Sequence, residues 1–379
     1  MSTALAAAPT ARRTGAHLTI DLDAIAGNVR RITQHTAAAV LAVVKADGFG
    51  HGAVDTARTA LAAGATWLGV TSIDEARVLR DAGLRAPVLS WLNPVDADFG
   101  AAVRRDIDLA VPGIHHLDAI SATSAPARVH LHLDTGMARD GAEPATWARL
   151  CREARRAERD GRIRVVGVMG HLACSESPAH PANTAGRKRF EWGLQTAYAA
   201  GLRPTVRHLA ATAATLTDPN THYDLVRIGA GLVGIDPSGS TPLRPAMTLT
   251  APVVDVRRVP AGTPVGYGHT WQAPTARTLA LIPLGYADGL PRAASGRAEI
   301  LIGGRRRRVA GRISMDQLVL DLADQPATPG DVVTVFGPGT TGEPTVAEWA
   351  AWSDSIPHEI VTGLGARLHR TTRQGVHNG

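Results

Sequence analysis

Lysine is nearly absent from this 379-residue sequence, although lysine and arginine together number 40. Only Lys45 and Lys188 are lysines, and every other basic side chain apart from histidine is an arginine. A guanidinium stays protonated in proteins, so arginine can replace lysine as a charge but not as a nucleophilic amine. Lys188 lies in a basic cluster, whereas Lys45 ends an apolar run. The lysine at position 45 therefore indicates amine chemistry; the alternative is a lysine that extends its charge into solvent from a strand end.

Cysteines and long apolar runs are also scarce. The two cysteines, Cys151 and Cys174, are too few for a disulfide scaffold and are compatible with a reducing cytoplasm, where we expect the protein. No run approaches the roughly 18 to 20 apolar residues of a membrane helix. Residues 1–14 place their arginines after an alanine-rich run, the reverse of a secretory signal, and are expected to form a flexible tail.

The net charge of +6 raises the question of a nucleic-acid partner. The basic residues are scattered among acidic ones, and aromatic residues make up only 4% of the chain. The one dense basic run, Arg305 to Arg308, falls where a solvated hairpin turn is expected. We therefore expect no nucleic acid as partner. We also expect no membrane as partner and no metal site.

Residues 38 to 236 alternate short apolar runs with amphipathic helical stretches, several of which end in glycine. Seven or eight such repeats predict parallel strands with helical crossovers, which places the chain in the α/β class. Their number and length favour a (β/α)8 TIM-type barrel over an open sheet. No G-x-G-x-x-G follows the first strand, which weakens a dinucleotide-binding alternative. We expect the barrel domain to span residues 15–238.

The pattern changes after Pro237 to alternating strands separated by glycine and proline turns, with a single helical segment, TVAEWAAWSD. This pattern predicts a C-terminal, mostly-β domain over residues 239–379. The early segment HLTIDLDAI also has a strand pattern, and it could pair with this second domain rather than with the barrel.

Active-site groups of such barrels come from the carboxyl ends of the strands. Seven chemically active side chains are expected at such ends: Lys45, Asp134, Arg139, His171, His208, Thr212 and Arg227. A lysine, two histidines and two arginines on one rim suit a small anionic ligand held near an amine. Pyridoxal 5'-phosphate fits this set, with Lys45 on its aldehyde and backbone amides near Gly229 and Thr212 on its phosphate.

Segments along nearly the whole chain resemble the alanine racemases. The most specific are VVKADGFGHGA, GYADGLPR and GRISMDQ, and they occur with LDTGMARDG, DLVRIGAGLVGIDPS, VGYGHTW and IPHEIVTGLGARLHR. The resemblance implies a fold-type III enzyme that uses pyridoxal 5'-phosphate on a small amino-acid substrate. It also implies a head-to-tail homodimer in which the partner subunit completes each site.

The resemblance further implies individual roles. Lys45 would be the Schiff-base lysine and one of two acid/base groups, and Tyr267 of the partner subunit would be the other. Two bases on opposite faces suit racemisation, because one removes the α-proton and the other returns it. The implied cofactor-binding residues are Lys45, His171, His208, Thr212, Arg227, Gly229, Ala230 and His358. The implied substrate-binding residues are Arg139, Met315 (also from the partner) and Tyr286, with Arg292 and Arg312 near the entrance.

Four positions depart from the family pattern. A frequently carbamylated lysine is replaced by His132, and a tyrosine that contacts the phosphate is replaced by Phe49. Another phosphate-binding tyrosine is replaced by His358, and the usual Asn-Ser pair is Ala211-Thr212. Because the proposed bases are retained, these changes concern the phosphate and the substrate pocket.

We expect a racemase of alanine or a similar small amino acid. The alternatives are a decarboxylase or an aldolase on the same scaffold, which would also break a bond at Cα, and a non-catalytic protein that binds pyridoxal 5'-phosphate. Retention of both racemase bases, Lys45 and Tyr267, counts against a decarboxylase and an aldolase. It also counts against a binding protein, which needs no second base.

Overall fold

The computed structural model describes residues 15–375; the predicted tail, 1–14, lies outside the described residues. The described chain divides into two compact units. The barrel unit comprises residues 21–246 with 373–375, and the second unit comprises residues 15–20 with 247–372. The first strand, β1 (His17–Asp21), lies mostly in the second unit.

The barrel unit contains eight parallel strands. The first seven lie side by side in chain order, and the eighth pairs with the first. They are β2 (Ala39–Val43), β3 (Trp67–Val70), β4 (Val88–Ser90), β5 (Ile107–Val111), β6 (Ala127–His132), β7 (Ile163–Met169), β8 (Val206–His208) and β9 (Leu225–Ile228). Backbone bonds from Asp224 N–H to Arg207 C=O (3.1 Å) and from Arg227 N–H to Ala210 C=O (3.0 Å) join β9 to β8. These bonds close the sheet, so the predicted barrel is confirmed.

The crossovers of the barrel unit are α-helical. The elements are α1 (Leu22–Thr33), the single turn α2 (Lys45–Gly50), α3 (Ala53–Ala62), α4 (Ile73–Asp81), α5 (Phe99–Arg104), α6 (Ile114–Ser121), α7 (Pro144–Arg159), α8 (Pro181–Ala199) and α9 (Thr212–Thr217). Proline at the first helical position starts α7 and α8, where its missing N–H costs nothing. No helix among residues 15–375 is long and apolar enough to cross a membrane.

The second unit is built mainly of antiparallel strands. They are β10 (Met247–Pro252), β11 (Asp255–Val259), β12 (Pro264–Val265), β13 (Trp271–Gln272), β14 (Arg277–Ile282), β15 (Glu299–Ile302), β16 (Arg305–Arg308), β17 (Leu318–Ala323), β18 (Val332–Phe336) and β19 (His369–Arg373). One sheet has the order β16-β15-β18-β10-β1-β19, a second β11-β14-β17, and β12 pairs with β13. Antiparallel pairing of β1 with β10 places Leu18 opposite Leu249.

The arginine run of the second unit forms a strand, so its prediction as a hairpin turn was wrong. Arg305–Arg308 is β16, antiparallel to β15, and the turn is Gly303-Gly304, whose φ values of 53° and 74° suit a two-residue hairpin. Arg306 pairs with Glu348. A second helix also follows the predicted one: α10 (Val346–Trp352) is succeeded by α11 (Pro357–Thr362).

Candidate active site

Lys45 follows the carboxyl end of β2, where the chain enters the turn α2 with a left-handed backbone. Ala46, Asp47 and Phe49 have φ values of 52°, 52° and 57°. Left-handed helical conformation costs a non-glycine residue roughly 1–2 kcal/mol. Strain of this kind persists only where the surrounding structure imposes it, so the fold fixes the backbone that carries this lysine.

The carboxylate of Glu75 anchors this turn to the next strand–helix loop. Its Oε1 accepts a 2.7 Å hydrogen bond from Ala46 N–H, and its Oε2 accepts from the Thr71 hydroxyl (2.6 Å) and Thr71 N–H (2.8 Å). Glu75 also completes a capping box with Ser72 at the start of α4. Burial would raise the pKa of Glu75, but these hydrogen bonds outweigh burial and hold the pKa below its usual value. An ionised carboxylate therefore ties down the residue after Lys45.

The environment of Lys45 favours its neutral, nucleophilic form. Burial lowers the pKa of the ammonium, and the positive charge of Arg139 lowers it further. The negative charge of Glu75 opposes both effects without cancelling them. A lysine with a depressed pKa supplies a neutral amine more readily near neutral pH, which is what attack on a carbonyl requires.

Arg227 on β9 binds both predicted histidines. Its Nη1 donates to Nδ1 of His208 at 3.1 Å, and its Nη2 donates to Nδ1 of His171 at 3.2 Å and to the carbonyl of Gly170 at 2.7 Å. The residue is only 5% exposed, and burial lowers its pKa to about 10. The guanidinium is therefore still protonated at neutral pH and donates every one of these bonds.

Both histidines are held in the neutral state. Burial lowers the pKa of His171 to about 3, helped by the charge of Arg227, and the same causes hold the pKa of His208 well below its usual value. Because Arg227 donates to Nδ1 of each ring, each neutral imidazole carries its proton on Nε2. The histidines are thus acceptors toward Arg227 and donors on their far side.

The loop after β9 packs closely against the start of α9. The hydroxyl oxygen of Thr212 accepts from Gly231 N–H at 3.2 Å and from Gly229 N–H at 3.4 Å. A Cβ on Gly229 would lie 2.6 Å from Cζ of Phe49, and a Cβ on Gly231 would lie 2.9 Å from Cγ2 of Thr212. Side chains are therefore excluded at both glycines, and the backbone around Ala230 approaches Thr212 and Phe49 directly.

Arg139 is presented by the loop after β6. The Oδ1 of Asp134 accepts from the N–H groups of Gly136 (2.8 Å) and Met137 (2.9 Å), which folds the loop back on the strand end. Ala138 then adopts a left-handed φ of 53°. The side chain of Arg139 is exposed, so its guanidinium is accessible to a ligand.

A carboxylate beside Arg139 is supplied by Asp140. Nδ1 of the buried His132 lies 3.4 Å from Oδ2 of Asp140, whose Oδ1 accepts from Gly141 N–H at 2.8 Å. Burial would raise the pKa of Asp140, but the neighbouring His132, the Gly141 N–H and the charge of Arg139 lower it. His132, Arg139 and Asp140 line a cavity of about 10 Å³ together with His171, enough for about one water molecule. A histidine–carboxylate pair thus occupies the position where the family commonly has a lysine.

The remaining predicted site residues belong to the second unit. Tyr267 begins a 3-10 turn, Tyr267–His269, between β12 and β13, and 71% of its surface is exposed. A Cβ on Gly268 would lie 2.9 Å from Nη1 of Arg312, so this guanidinium packs against the turn. Tyr267 is thus held at the surface by a glycine turn.

Tyr286 and Met315 are presented by two loops that bind each other through the backbone. Tyr286 N–H donates to Ser314 C=O at 3.0 Å, and Ala287 N–H donates to Met315 C=O at 2.9 Å. A Cβ on Gly285 would lie 2.3 Å from the Met315 carbonyl oxygen, so only glycine permits this approach. Both side chains are exposed, Tyr286 by 41% and Met315 by 53%.

His358 lies half-buried on α11, where its carbonyl accepts from the Thr362 hydroxyl at 2.7 Å. The predicted residues therefore fall into two groups. The barrel rim carries Lys45, Arg139, His171, His208, Thr212, Arg227, Gly229 and Ala230, and the second unit carries Tyr267, Tyr286, Met315 and His358.

Among the residues that support this rim, Glu75, Asp140 and His130 were not predicted from the sequence. Glu75 is the third helical residue after Ser72, a capping-box spacing that could have been recognised. Asp140 follows Arg139 directly, but its contact with His132 depends on the loop conformation. His130 lies two residues before His132 on the same strand, and no sequence signal distinguished it from a core histidine.

Comparisons with known proteins agree with this geometry. The family profile "Alanine racemase, N-terminal domain" matches residues 20–237, and "Alanine racemase, C-terminal domain" matches residues 246–372. An alanine racemase of Frankia casuarinae is 47% identical over 362 residues, covering 93% of this chain and 94% of that protein. One of Thermobifida fusca is 46% identical over 359 residues, covering 93% and 96%.

Solved structures extend the similarity to three dimensions. An alanine racemase of Streptomyces lavendulae superposes with a TM-score of 0.94 at 43% identity, covering 96% of this chain and 98% of that chain. The alanine racemase of Streptomyces coelicolor A3(2) gives a TM-score of 0.93 at 44% identity, covering 95% and 98%. Matches to both family profiles and to relatives at this identity lead to one conclusion: the chain belongs to the alanine racemase family.

Proposed function

We propose that this protein is a pyridoxal 5'-phosphate-dependent racemase that interconverts L- and D-alanine. The observation that carries the proposal is the position of Lys45, an amine with a depressed pKa on the same barrel rim as the buried Arg227. Neither a decarboxylase nor an aldolase gains support from the relatives and structures named above, and nor does a non-catalytic binding protein.

The residues of the barrel rim fit pyridoxal 5'-phosphate. Gly229 and Gly231 lack side chains, which lets the backbone of this loop pack closely against Phe49 and Thr212. The oxygen of Thr212 accepts from both glycine amides, which leaves its own hydroxyl proton to donate to a phosphate oxygen. Phe49 adds an apolar surface but no donor. We propose that phosphate binding in the barrel unit rests on Thr212 and the Gly229–Ala230 backbone.

When bound, pyridoxal 5'-phosphate supplies an aldehyde for an amine and an electron-withdrawing ring that acidifies the α-proton of a bound amino acid. Lys45 binds the aldehyde and afterwards moves a proton through its Nζ. Its depressed pKa serves both tasks, because a neutral amine is the nucleophile and also the proton acceptor. The Glu75 anchor holds this amine in place through Ala46.

Arg227 is proposed to face the pyridine nitrogen. A guanidinium donates hydrogen bonds and does not give up its proton near neutral pH, so the nitrogen beside it stays unprotonated. An unprotonated ring withdraws electrons less strongly, which favours return of a proton at the α-carbon over transamination. His171 and His208 orient the guanidinium through their Nδ1 atoms.

We propose that Arg139 of one subunit and the backbone N–H of Met315 of the partner subunit bind the substrate carboxylate. The Arg139 guanidinium is exposed beside the His132–Asp140 pair, and within residues 15–375 no backbone acceptor is present for the Met315 N–H. A guanidinium and a free N–H match the two oxygens of a carboxylate. Tyr286, bound to the Met315 loop through the backbone, would limit the size of the substrate side chain.

Tyr267 is proposed to act as the second base, in the site of a partner subunit. An exposure of 71% for Tyr267 and 53% for Met315 leaves both free to contact another chain. Mixing Lys45→Ala with Tyr267→Phe subunits tests this arrangement. Hybrid dimers would contain one site with both native bases, so roughly a quarter of wild-type activity should return. A mixture that stays inactive, although native mass spectrometry with one variant ¹⁵N-labelled shows hybrid dimers, would contradict a shared site.

The substrate is tested by chiral chromatography. The protein with pyridoxal 5'-phosphate should convert L-alanine and D-alanine to the same final mixture, and it should convert larger amino acids more slowly. Loss of total alanine with formation of ethylamine and carbon dioxide would indicate decarboxylation, and conversion of L-threonine to glycine and acetaldehyde would indicate aldolase cleavage instead. An unchanged enantiomer with bound cofactor would indicate a binding protein.

We place the protein in the cytoplasm. Cys151 is buried and burial raises the pKa of its thiol to about 12, and both it and Cys174 are free. Unpaired cysteines are what a reducing compartment preserves. Detection of the protein in the soluble cell fraction, and not in the periplasm or culture medium, tests this placement.

A further inference from the structure

A chain of contacts continues from Arg227 into the barrel interior, beyond the residues assigned to the site. On β8, His208 binds Nη1 of Arg227 with its Nδ1, and its Nε2 lies 2.9 Å from Nδ1 of His130 on β6. The Nε2 of His130 lies 3.4 Å from Oδ2 of Asp108 on β5. None of His208, His130 and Asp108 is more than 1% exposed. Two buried imidazoles thus connect a guanidinium to a carboxylate across the barrel.

The barrel backbone is adapted to this contact. His130 is paired with Gly167 on β7, and β7 separates the strands that carry the two histidines. A Cβ on Gly167 would lie 2.1 Å from Nδ1 of His130. The imidazole therefore passes over β7 at a residue without a side chain, and any other residue there would block its path to His208.

The two ends of the chain determine where its protons lie. Arg227 can only donate, so Nδ1 of His208 is an acceptor and the proton of this neutral ring is on Nε2. That N–H needs an acceptor, so Nδ1 of His130 is unprotonated and His130 carries its proton on Nε2. The Nε2–H of His130 then donates to Oδ2 of Asp108. One assignment of protons satisfies every contact from Arg227 to Asp108.

Asp108 is bound by a guanidinium on the outer side of the chain of contacts. The Nε of Arg128 donates to its Oδ1 at 2.7 Å, and Arg128 also pairs with Asp106. A guanidinium can only donate, so the carboxylate of Asp108 is an acceptor toward Arg128. Asp108 therefore fixes the direction of the whole chain of hydrogen bonds.

We propose that His130 and Asp108 are positioning residues for Arg227, because they keep the proton of His208 on Nε2 and its Nδ1 available to the guanidinium. Without an acceptor at position 130, His208 could carry its proton on Nδ1 and oppose the N–H of Arg227. The guanidinium would then lose a buried bond and its fixed orientation. The effect on catalysis rests on the proposed function, in which Arg227 faces the cofactor; the proton positions do not.

The proton positions are tested first, in wild-type holoenzyme with ¹⁵N-labelled histidine. Long-range ¹H–¹⁵N correlation NMR at neutral pH distinguishes neutral Nε2–H, neutral Nδ1–H and doubly protonated imidazoles. Signals are assigned by their loss in His130→Asn and His208→Gln. We expect both rings to be neutral with the proton on Nε2. A proton on Nδ1 of either ring would overturn the proposal, whatever reaction the enzyme catalyses.

The positioning role is tested by two substitutions at His130. His130→Leu removes the acceptor and should lower both cofactor affinity and kcat/KM for L-alanine, each by roughly tenfold, and should shift the absorbance of the bound cofactor. His130→Asn keeps an acceptor oxygen near the position of Nδ1 and should recover most of this loss. His115→Leu, at an exposed histidine of α6, is the matched control and should match wild type. Wild-type affinity and kcat/KM in His130→Leu would overturn the role.

Discussion

The carboxylate of Glu75 binds the backbone N–H of Ala46, the residue directly after Lys45, at 2.7 Å. Glu75→Gln should destabilise the protein by about 1–3 kcal/mol, because an amide –NH₂ would face N–H donors. It should also lower the pKa of Lys45, since the charge of Glu75 raises it. Urea unfolding and the pH profile of kcat/KM measure the two effects. Asp74→Asn changes the exposed carboxylate just before Glu75 and should alter neither the stability nor the pKa of Lys45. Equal changes of stability and of the Lys45 pKa in both variants would contradict the anchoring role.

The scarcity of lysine allows a direct test of the cofactor-binding amine. Lys45→Arg keeps the charge but not the nucleophile, and should reduce racemisation by more than about 10⁴-fold, the scale on which loss of a covalent nucleophile slows enzymes. Lys188→Arg, at the exposed second lysine, should leave activity unchanged. Borohydride reduction followed by peptide mass spectrometry should find the cofactor on Lys45; cofactor on Lys188 alone would contradict the assignment.

The His132–Asp140 pair should affect substrate binding more than turnover. Asp140→Asn removes the carboxylate beside Arg139, which should raise the KM for alanine by roughly tenfold with a smaller change in kcat. Steady-state kinetics with Asp55→Asn, an exposed carboxylate on α3, as control separates a local from a general effect. A KM that stays at the wild-type value in Asp140→Asn would show that Arg139 is oriented without this pair.

Gly229 should tolerate no side chain. Gly229→Ala places a Cβ 2.6 Å from Cζ of Phe49 and should lower the free energy of unfolding by about 1–3 kcal/mol, with weaker cofactor binding. Gly27→Ala, in the interior of α1 with nothing within 4 Å of its Cβ, should instead stabilise the protein by about 0.5–1 kcal/mol. Chemical denaturation and absorbance titration with cofactor measure both. A Gly229→Ala variant with a higher free energy of unfolding than Gly27→Ala would contradict the packing described for this loop.

Stability should fall as pH decreases from about 7.5 to 5.5. The pKa of His171 is lowered to about 3 and that of His208 is also well below normal, whereas unfolded histidines titrate near 6.5. Below that pH the unfolded chain binds protons that the native state rejects, which costs up to about 1.4 kcal/mol per pH unit for each histidine. His208→Gln should reduce this slope in urea-unfolding experiments. A stability that is constant over this range in wild type would contradict the neutral state of both histidines.

Much of the barrel could be predicted because its buried strands appear as apolar runs with helical stretches between them. The position of Lys45 at the carboxyl end of a barrel strand was predictable for the same reason, since it directly follows one of these runs. The strand β16 was not, because four arginines resemble a solvated turn more than a strand. The dipeptide Gly303-Gly304 makes the turn instead, and it shifts the arginines into the returning strand.

The buried chain behind Arg227 could not be predicted from the sequence. His130 and Asp108 each lie inside a strand, where the side of the sheet that a polar residue faces depends on the strand register. Their contact also requires Gly167 on a third strand, and no spacing in the sequence links these three positions. The family resemblance stated from the sequence assigns no role to His130 or Asp108.

The central claim, racemisation by two bases, is tested most directly by hydrogen exchange at the α-carbon. L-alanine is incubated in D₂O with the protein and pyridoxal 5'-phosphate, and the alanine is separated by chirality and analysed by NMR at early times. We predict that D-alanine carries deuterium at Cα in essentially every molecule, because a base on one face removes the proton and a base on the other returns a solvent deuteron. Lys45→Ala and Tyr267→Phe should each abolish this product. D-alanine that retains the original proton, or that forms undiminished in Tyr267→Phe, would contradict the two-base account.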